Sequence, residues 1–460
     1  MSENWIWCWY KGGEKVKKYS LVCFRNIFLL CFKEGSNMRF KSFVLVLVLL
    51  VLSFSIFVTV YAADVELNTI EGPGNVPFYL SRFVEFADET GIKVNLNVIP
   101  YGRDAGIKLI SSFMAGGDQY DVFLIDCIEV PQYAEADWVM SVDEWITPDL
   151  EKDIVPFAKD GMMFKGHWYG LPYASEWKSF VYNDRMLKNA GLVEFPKTWN
   201  DVVEYGQELQ NSGVVKYSTA FSWAQKECLI CDFAAISASF DGVFFNEDLE
   251  PLFNKGGAVE ALQWMIDSIN KYKVVDPASI MWTEEEVDAA MQNGDIAYQL
   301  SWGYPLVRLN DPDRSNILDQ AKIGLMPSVD GEHPYTVSGP MGWAISKGTK
   351  NPAEAWEFIK FIAGPKGSKV AAIRQGMFSG WKSVLNDPEV QAGVPGLEDM
   401  AKQAEYIVNR PIVPWYHEFS VKLAEKLHEA LTLQKSPQEA LNEAVEETLK
   451  IKAEYEKTAR

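Results

Sequence analysis

The chain has 460 residues, 48% of them hydrophobic, and a formal net charge of −20. That acid excess opposes nucleic acid and anionic membrane surfaces, whose phosphates would be repelled. The length is enough for two lobes with separate cores.

Residues 38–63, MRFKSFVLVLVLLVLSFSIFVTVYAA, read as a secretory signal. Arg39 and Lys41 give the positive flank, 43–60 the apolar run, and Val60-Tyr61-Ala62 the small residues a signal peptidase inspects. The expected start is therefore Met38, with 1–37 an upstream leader and cleavage near Ala62. An uncleaved anchor is the alternative, because the run approaches the ~20 residues that span a bilayer. Ser53, Ser55 and Thr59 dilute it, and no cysteine stands at the cleavage point to take a lipid. Beyond residue 62, 35 basic side chains face 60 acidic ones, a net of −25. Such a chain is expected to be a soluble monomer without nucleic-acid partners.

The exported part opens β-α-β-α-β. A strand at 65–70 leads to a loop at 71–75, where Asn75 can cap a helix with Pro77 in its first turn. Leu80, Phe83, Val84 and Ala87 form its expected apolar face, and Gly91 ends it. Ile92, Val94, Leu96 and Val98 alternate with polar residues as a second strand. Ile107, Ile110 and Met114 mark one side of a second helix, stopped by Gly116-Gly117. The short apolar run 122–125, bounded by Asp121 and Asp126, suits a buried strand of a parallel sheet covered by helices. Ligands gather beyond the carboxyl ends of such strands, here 71–75, 100–103 and 126–129. Asn75, Arg103 and Asp126 on those loops are candidate cleft residues.

Helices are further expected at 259–270, at 352–363 and from Ser436-Pro437-Gln438-Glu439, a capping box with proline in the first turn. In the last, Leu441, Ala444, Val445 and Leu449 are expected to pack. Three cysteines follow the signal, Cys127, Cys228 and Cys231; the close pair suits either a local disulfide or two free thiols. Thirteen tryptophans follow it too, more than packing alone requires, and aromatic faces suit a sugar cleft.

Catalytic signatures are missing. No nucleophile elbow or helical pair of zinc-binding histidines occurs, and Gly161 and Gly166 are followed by His167 where a phosphate loop needs lysine. The calcium-like run Asp311-Pro312-Asp313-Arg314-Ser315 has Asn316 in place of glycine and Lys322 at the final carboxylate position. No cofactor, metal or enzymatic activity is expected.

Five fragments then occur in order: SSFMAGGDQYDVFLID, GHWYGLPYASEWKSFVYNDRMLKNAGLVEFPKTWNDV, MQNGDIAYQLSWGYP, SGPMGWAISKGTKNPAEAWEFIKFIAG and PWYHEF. Together they resemble the family 1 extracellular solute-binding proteins of ATP-binding-cassette importers, a class that includes maltose-binding protein. The resemblance runs from about residue 65 to the C-terminus. It implies an α/β, two-lobed periplasmic-binding-protein-like fold with discontinuous lobes, hinge strands and an interlobe cleft. One lobe would combine 63–174 with 340–392, the other 177–337 with 396–460, crossing at 172–177 and 337–339. It also implies a carbohydrate ligand and docking on a membrane permease.

By the same resemblance Glu176 stands where sugar binders place a carboxylate just past the first hinge, with Trp177 beside it. Trp302 stands where they present an aromatic platform, and Trp415 with Tyr416 at another cleft aromatic. After RQG, relatives commonly show proline and a polar residue, whereas this chain reads Met377-Phe378-Ser379-Gly380-Trp381. Trp381 and Trp223 are therefore further candidates for the aromatic wall. Trp199 and Trp356 are expected to be structural. The implied function is capture of a carbohydrate, with a polyamine, a glycerol-phosphate-like solute, or a secreted glycoside hydrolase as alternatives.

Overall fold

A computed structural model describes residues 65–71, 76–99, 103–303, 305–394 and 397–458. The expected signal and Asn75 lie outside the described residues. No helix among the described residues is long and apolar enough to cross a membrane.

Strand β1 (Glu66–Glu71), helix α1 (Val76–Thr90) and the parallel strand β2 (Lys93–Val98) form the expected opening unit. Gly91, at φ +79°, accepts the left-handed turn that ends α1. The buried face of α1 differs from the expected one. Phe78, Tyr79, Phe83 and Phe86 point inward, while Leu80 and Val84 are 47% and 63% exposed. Two apolar stripes overlap on this helix, and the aromatic one wins because each ring removes more surface from water. Helix α2 (Arg103–Met114) shows the same rule. Phe113 packs among Phe123, Tyr133 and Trp138, leaving Met114 77% exposed.

Strand β3 (Val122–Asp126) adjoins β1, the Asp121 N–H donating to the Asn68 carbonyl at 2.8 Å. Its ladder is not the expected parallel one. After α3 (Val130–Glu135) comes β4 (Leu171–Ala174), and a much later strand pairs antiparallel with both β3 and β4. The chain then passes into β5 (Lys178–Asn183), α4 (Trp199–Asn211), β6 (Thr219–Ala220), α5 (Glu227–Ser239), α6 (Gly257–Asn270), α7 (Glu284–Asn293), β7 (Tyr298–Trp302) and β8 (Ala321–Gly324). These strands make a second sheet in the order β8-β5-β7-β6. Strand β9 (Thr336–Ser338) precedes β10 (Met341–Ile345), the late strand at the centre of β3-β10-β4. Helices α8 (Pro352–Ala363) and α9 (Pro365–Gln375), strand β11 (Ile407–Asn409) parallel to β9, and helices α10 (Tyr416–Leu431) and α11 (Pro437–Thr458) complete the fold.

Each lobe has an aromatic core. Phe358 of α8 meets Phe83 and Trp343 edge to face at 5.2 and 5.4 Å, and in the other lobe Trp199 lies 4.3 Å from Trp264. The Ser436–Glu439 capping box is formed as expected, but Leu449 is half-exposed. Ser175–Trp177 crosses from β4 to β5, and Gly339-Pro340 crosses from β9 to β10. The crossings are tied together: the Gly339 N–H donates to the Glu176 carbonyl at 3.0 Å, and Trp177 bridges to Ser338.

Candidate functional site

The crossings hold a polar cluster, built from the ends of β3, β5, β7 and β11 and the first turns of α5, α7 and α10. At its centre Arg410, 4% exposed, reaches two carboxylates far apart in sequence, Asp126 and Glu227. Its Nη2 donates to Asp126 Oδ1 and Oδ2 at 2.7 and 2.9 Å, and its Nη1 to Glu227 Oε1 at 3.1 Å. The Tyr416 hydroxyl donates to the same Glu227 oxygen at 2.7 Å. Gly339 makes this approach feasible, since a Cβ there would lie 2.5 Å from Arg410 Nη2 and 3.2 Å from the Trp302 ring. The guanidinium and the indole therefore converge on one crossing.

The second half of the cluster surrounds Lys178. Its Nζ lies 2.8 Å from Glu284 Oε1 and 3.0 Å from Asp232 Oδ1, and 4.9 Å over the Trp302 ring centre. Trp302 Nε1 donates to Glu284 Oε1 at 2.7 Å. Asp288 receives Arg308 Nη2 at 2.5 Å.

Burial sets the protonation of this site. Burial pushes the Glu176 carboxyl up to about 8, with the negative charge of Glu284 adding to it and Arg308 opposing. Burial and the neighbouring Asp126 charge push Glu129 up to about 7, and burial pushes Asp288 up to about 6 against the pull of Arg308. Burial also acts on Glu284, but the Lys178 ammonium and the Lys178 and Trp302 hydrogen bonds outweigh it and hold the carboxyl below its usual range.

Of the residues expected from sequence, Asp126, Glu176, Trp302 and Tyr416 come together here. Trp177, Trp223 and Trp381 are buried and make none of this cluster's hydrogen bonds. Trp177 is buried and stacks on Phe378 at 5.2 Å, Trp223 is buried and stacks on Phe221 at 4.7 Å, and the buried Trp381 donates its indole N–H to the Ala363 carbonyl at 2.7 Å. Trp415 is mostly packed against Phe245 and Phe419, with one edge on a groove beside Gln132, Glu135 and Tyr455. Arg103 opens α2. Sequence reasoning missed Lys178, Glu227, Asp232, Glu284 and Arg308. The lysine that opens the strand Lys178-Ser179-Phe180-Val181 was the available signal. The three cysteines are free thiols.

An indole and a dense set of hydrogen-bonding side chains thus gather at the two crossings. The chain belongs to the bacterial extracellular solute-binding protein family, which it matches over residues 79–369. It is similar to the maltotriose-binding protein of Pyrococcus abyssi, 26% identical over 280 residues, which is 60% of this chain and 58% of that protein. Among solved structures it is similar to maltose-bound MalE3 of T. maritima, with a TM-score of 0.77 and 22% identity over 83% of this chain and 98% of that one. An ABC transporter solute-binding protein of Agrobacterium radiobacter in complex with ribitol gives a TM-score of 0.74 and 24% identity, over the same shares of the two chains. These likenesses carry the two-lobed fold, and the family places the protein in the periplasm or outside the cell.

Proposed function

We propose that the protein captures a carbohydrate, an oligosaccharide by preference, between its lobes and delivers it unaltered to the permease of an ATP-binding-cassette importer. The observation that carries this reading is Trp302, held by Glu284 through its indole N–H and by the Lys178 ammonium over its ring. A pyranose presents an apolar C–H face that fits an indole, and hydroxyls that carboxylates accept. The maltotriose, maltose and ribitol named for its relatives support the hydroxyl-rich class. In this reading the lobes meet at 172–177 and 337–339, the signal at 38–63 is cleaved without a lipid anchor, and the exported chain works as a monomer. It is a receptor and not an enzyme.

A thermal-shift screen against mono- and oligosaccharides tests this, because a ligand bound only by the folded state raises Tm. Calorimetry on the best sugar should show weaker binding for Glu176→Ala and for Trp302→Ala, with both variants folded. Unchanged affinity in both would remove the site, and cleaved sugar after overnight incubation would make the protein a hydrolase. One observation favours a second reading. Five carboxyl side chains (Asp126, Glu227, Asp232, Glu284 and Asp288) share the cluster with three cations (Lys178, Arg308 and Arg410), an acid excess that a polyamine would match, with Glu129 and Glu176 available to ionise beside a bound cation. Spermidine belongs in the same screen.

A further inference from the structure

Lys178 is a costly residue for stability. Its side chain is 0% exposed, and a buried ammonium loses several kcal/mol of hydration that only well-placed partners recover. Replacing such a pair by apolar side chains of similar volume is often neutral or stabilising. What the ion pair does supply here is geometry. Lys178 and Trp302 are register partners across the antiparallel β5–β7 ladder, so the ammonium lies over the indole by the pairing of the strands. The Thr336 hydroxyl, donating to the Lys178 carbonyl at 2.7 Å, fixes the backbone beside the crossing.

The two carboxylate partners differ in freedom. Asp232 is fully buried, and its Oδ2 accepts from the Ser222 N–H and hydroxyl at 2.9 and 2.8 Å. It anchors the ammonium. Glu284, in the first turn of α7, is 34% exposed and has water as an alternative. The anchored ammonium draws Glu284 inward, and the same Oε1 then takes the Trp302 indole N–H.

We propose that Lys178 is a positioning residue of the binding site: through Glu284 it fixes the tilt of the Trp302 indole that receives the ligand. The effect on ligand affinity rests on the carbohydrate reading, whereas the effect on the indole does not.

The test uses the exported chain carrying ¹⁵N-labelled tryptophan, with the Trp302 Nε1–H resonance assigned by its loss in Trp302→Phe. In wild type this proton should exchange slowly with D₂O. Lys178→Met should speed its exchange roughly 10-fold or more, the worth of a hydrogen bond to a charged group. Lys178→Arg should recover part of the protection. The double variant Lys178→Met/Asp232→Leu separates positioning from simple neutralisation of Asp232. It should return Tm toward wild type yet leave the indole proton unprotected, and it also guards against a single variant that fails to fold. Full protection in the double variant would overturn the proposal. With maltotriose as probe, both Met-containing variants should bind about 10- to 100-fold more weakly. If wild type binds no maltotriose or other sugar, the carbohydrate reading fails while the exchange rates still decide the role of Lys178.

Discussion

Arg410→Met removes the side chain that ties Asp126 to Glu227 beside the crossings, and its cost follows from the geometry. The substitution keeps most of the apolar stem but deletes two hydrogen bonds to Asp126 and one to Glu227. Breaking a buried ion pair from one side costs ~3–5 kcal/mol, because the abandoned carboxylates stay behind uncompensated. Asp126 and Glu227 retain 23% and 38% exposure and so recover part of their hydration, which favours the lower end, about 3 kcal/mol. An unfolding entropy of about 2.1 cal/mol/K per residue over about 400 residues amounts to ~0.8 kcal/mol/K, so Tm should fall by about 4 °C. Differential scanning calorimetry at fixed pH and salt reads this directly. A double-mutant cycle with Asp126→Asn then isolates the pair. Once the carboxylate is neutral, losing the guanidinium should cost less, and the combined fall in Tm should be smaller than the sum of the separate falls by about 1–2 °C. Strict additivity, or a fall below 1 °C for Arg410→Met, would refute the view that this arginine ties the two carboxylates together.

Trp381→Ala should cost ~3–5 kcal/mol, since a fully buried indole with a satisfied N–H is removed from a lobe core. Its sugar affinity by calorimetry should stay within about twofold of wild type, whereas a tenfold loss would return Trp381 to the cleft. Glu176 gives the pH dependence a definite sign. Its folded value of about 8 lies above the ordinary 4.5, so the folded state holds the extra proton between those limits and this contribution to stability declines as pH rises through that window. Glu129, raised to about 7, adds to the same trend, and Glu176→Gln should flatten the plot of Tm against pH there. An equally steep plot in that variant would place the titration elsewhere. A thiol reagent on the exported chain in denaturant should count all of Cys127, Cys228 and Cys231, and a count of one would mean that the close pair had oxidised.

Local patterns carried the elements into the sequence reading, and long-range pairing limited it. Helix 352–363, the Ser436 capping box and the left-handed stop at Gly91 depend on residues a few positions apart, and all three are present. The antiparallel insertion of β10 between β3 and β4 joins segments more than 150 residues apart, which no local period encodes. On α1 two apolar stripes were equally legible, and only the rings of the opposing helix decide between them. The site divides in the same way. Asp126 was visible as the end of a short apolar run, and Glu176 and Trp302 through the family resemblance. Glu227, Asp232 and Glu284 were indistinguishable from the many solvated acids of the chain until Lys178 and Arg410 gathered them. Most of the tryptophans fill the cores; Trp381 donates its N–H to the Ala363 carbonyl and Trp199 to the Ser239 hydroxyl, while the buried indoles of Trp177, Trp223, Trp264 and Trp343 have no hydrogen-bond partner.

The pairing within the cluster bears on the charge of the solute. Each cation is already within hydrogen-bond distance of a carboxylate: Lys178 with Asp232 and Glu284, Arg308 with Asp288, Arg410 with Asp126 and Glu227. A phosphate would have to take a guanidinium away from Asp126 or Glu227, leaving that carboxylate stranded in a partly desolvated site at a cost of a few kcal/mol. A sugar hydroxyl asks for no such exchange, because an ionised carboxylate offers about four acceptor positions and the ion pairs occupy only some of them. Glycerol 3-phosphate at millimolar concentration should therefore leave Tm within about 1 °C of the unliganded protein, while a bound sugar at 100 times its Kd contributes ~2.7 kcal/mol and raises Tm by about 3 °C. A larger shift with the phosphate than with any sugar would mean that the ion pairs open on binding, and that the cleft selects charge in place of hydroxyl pattern.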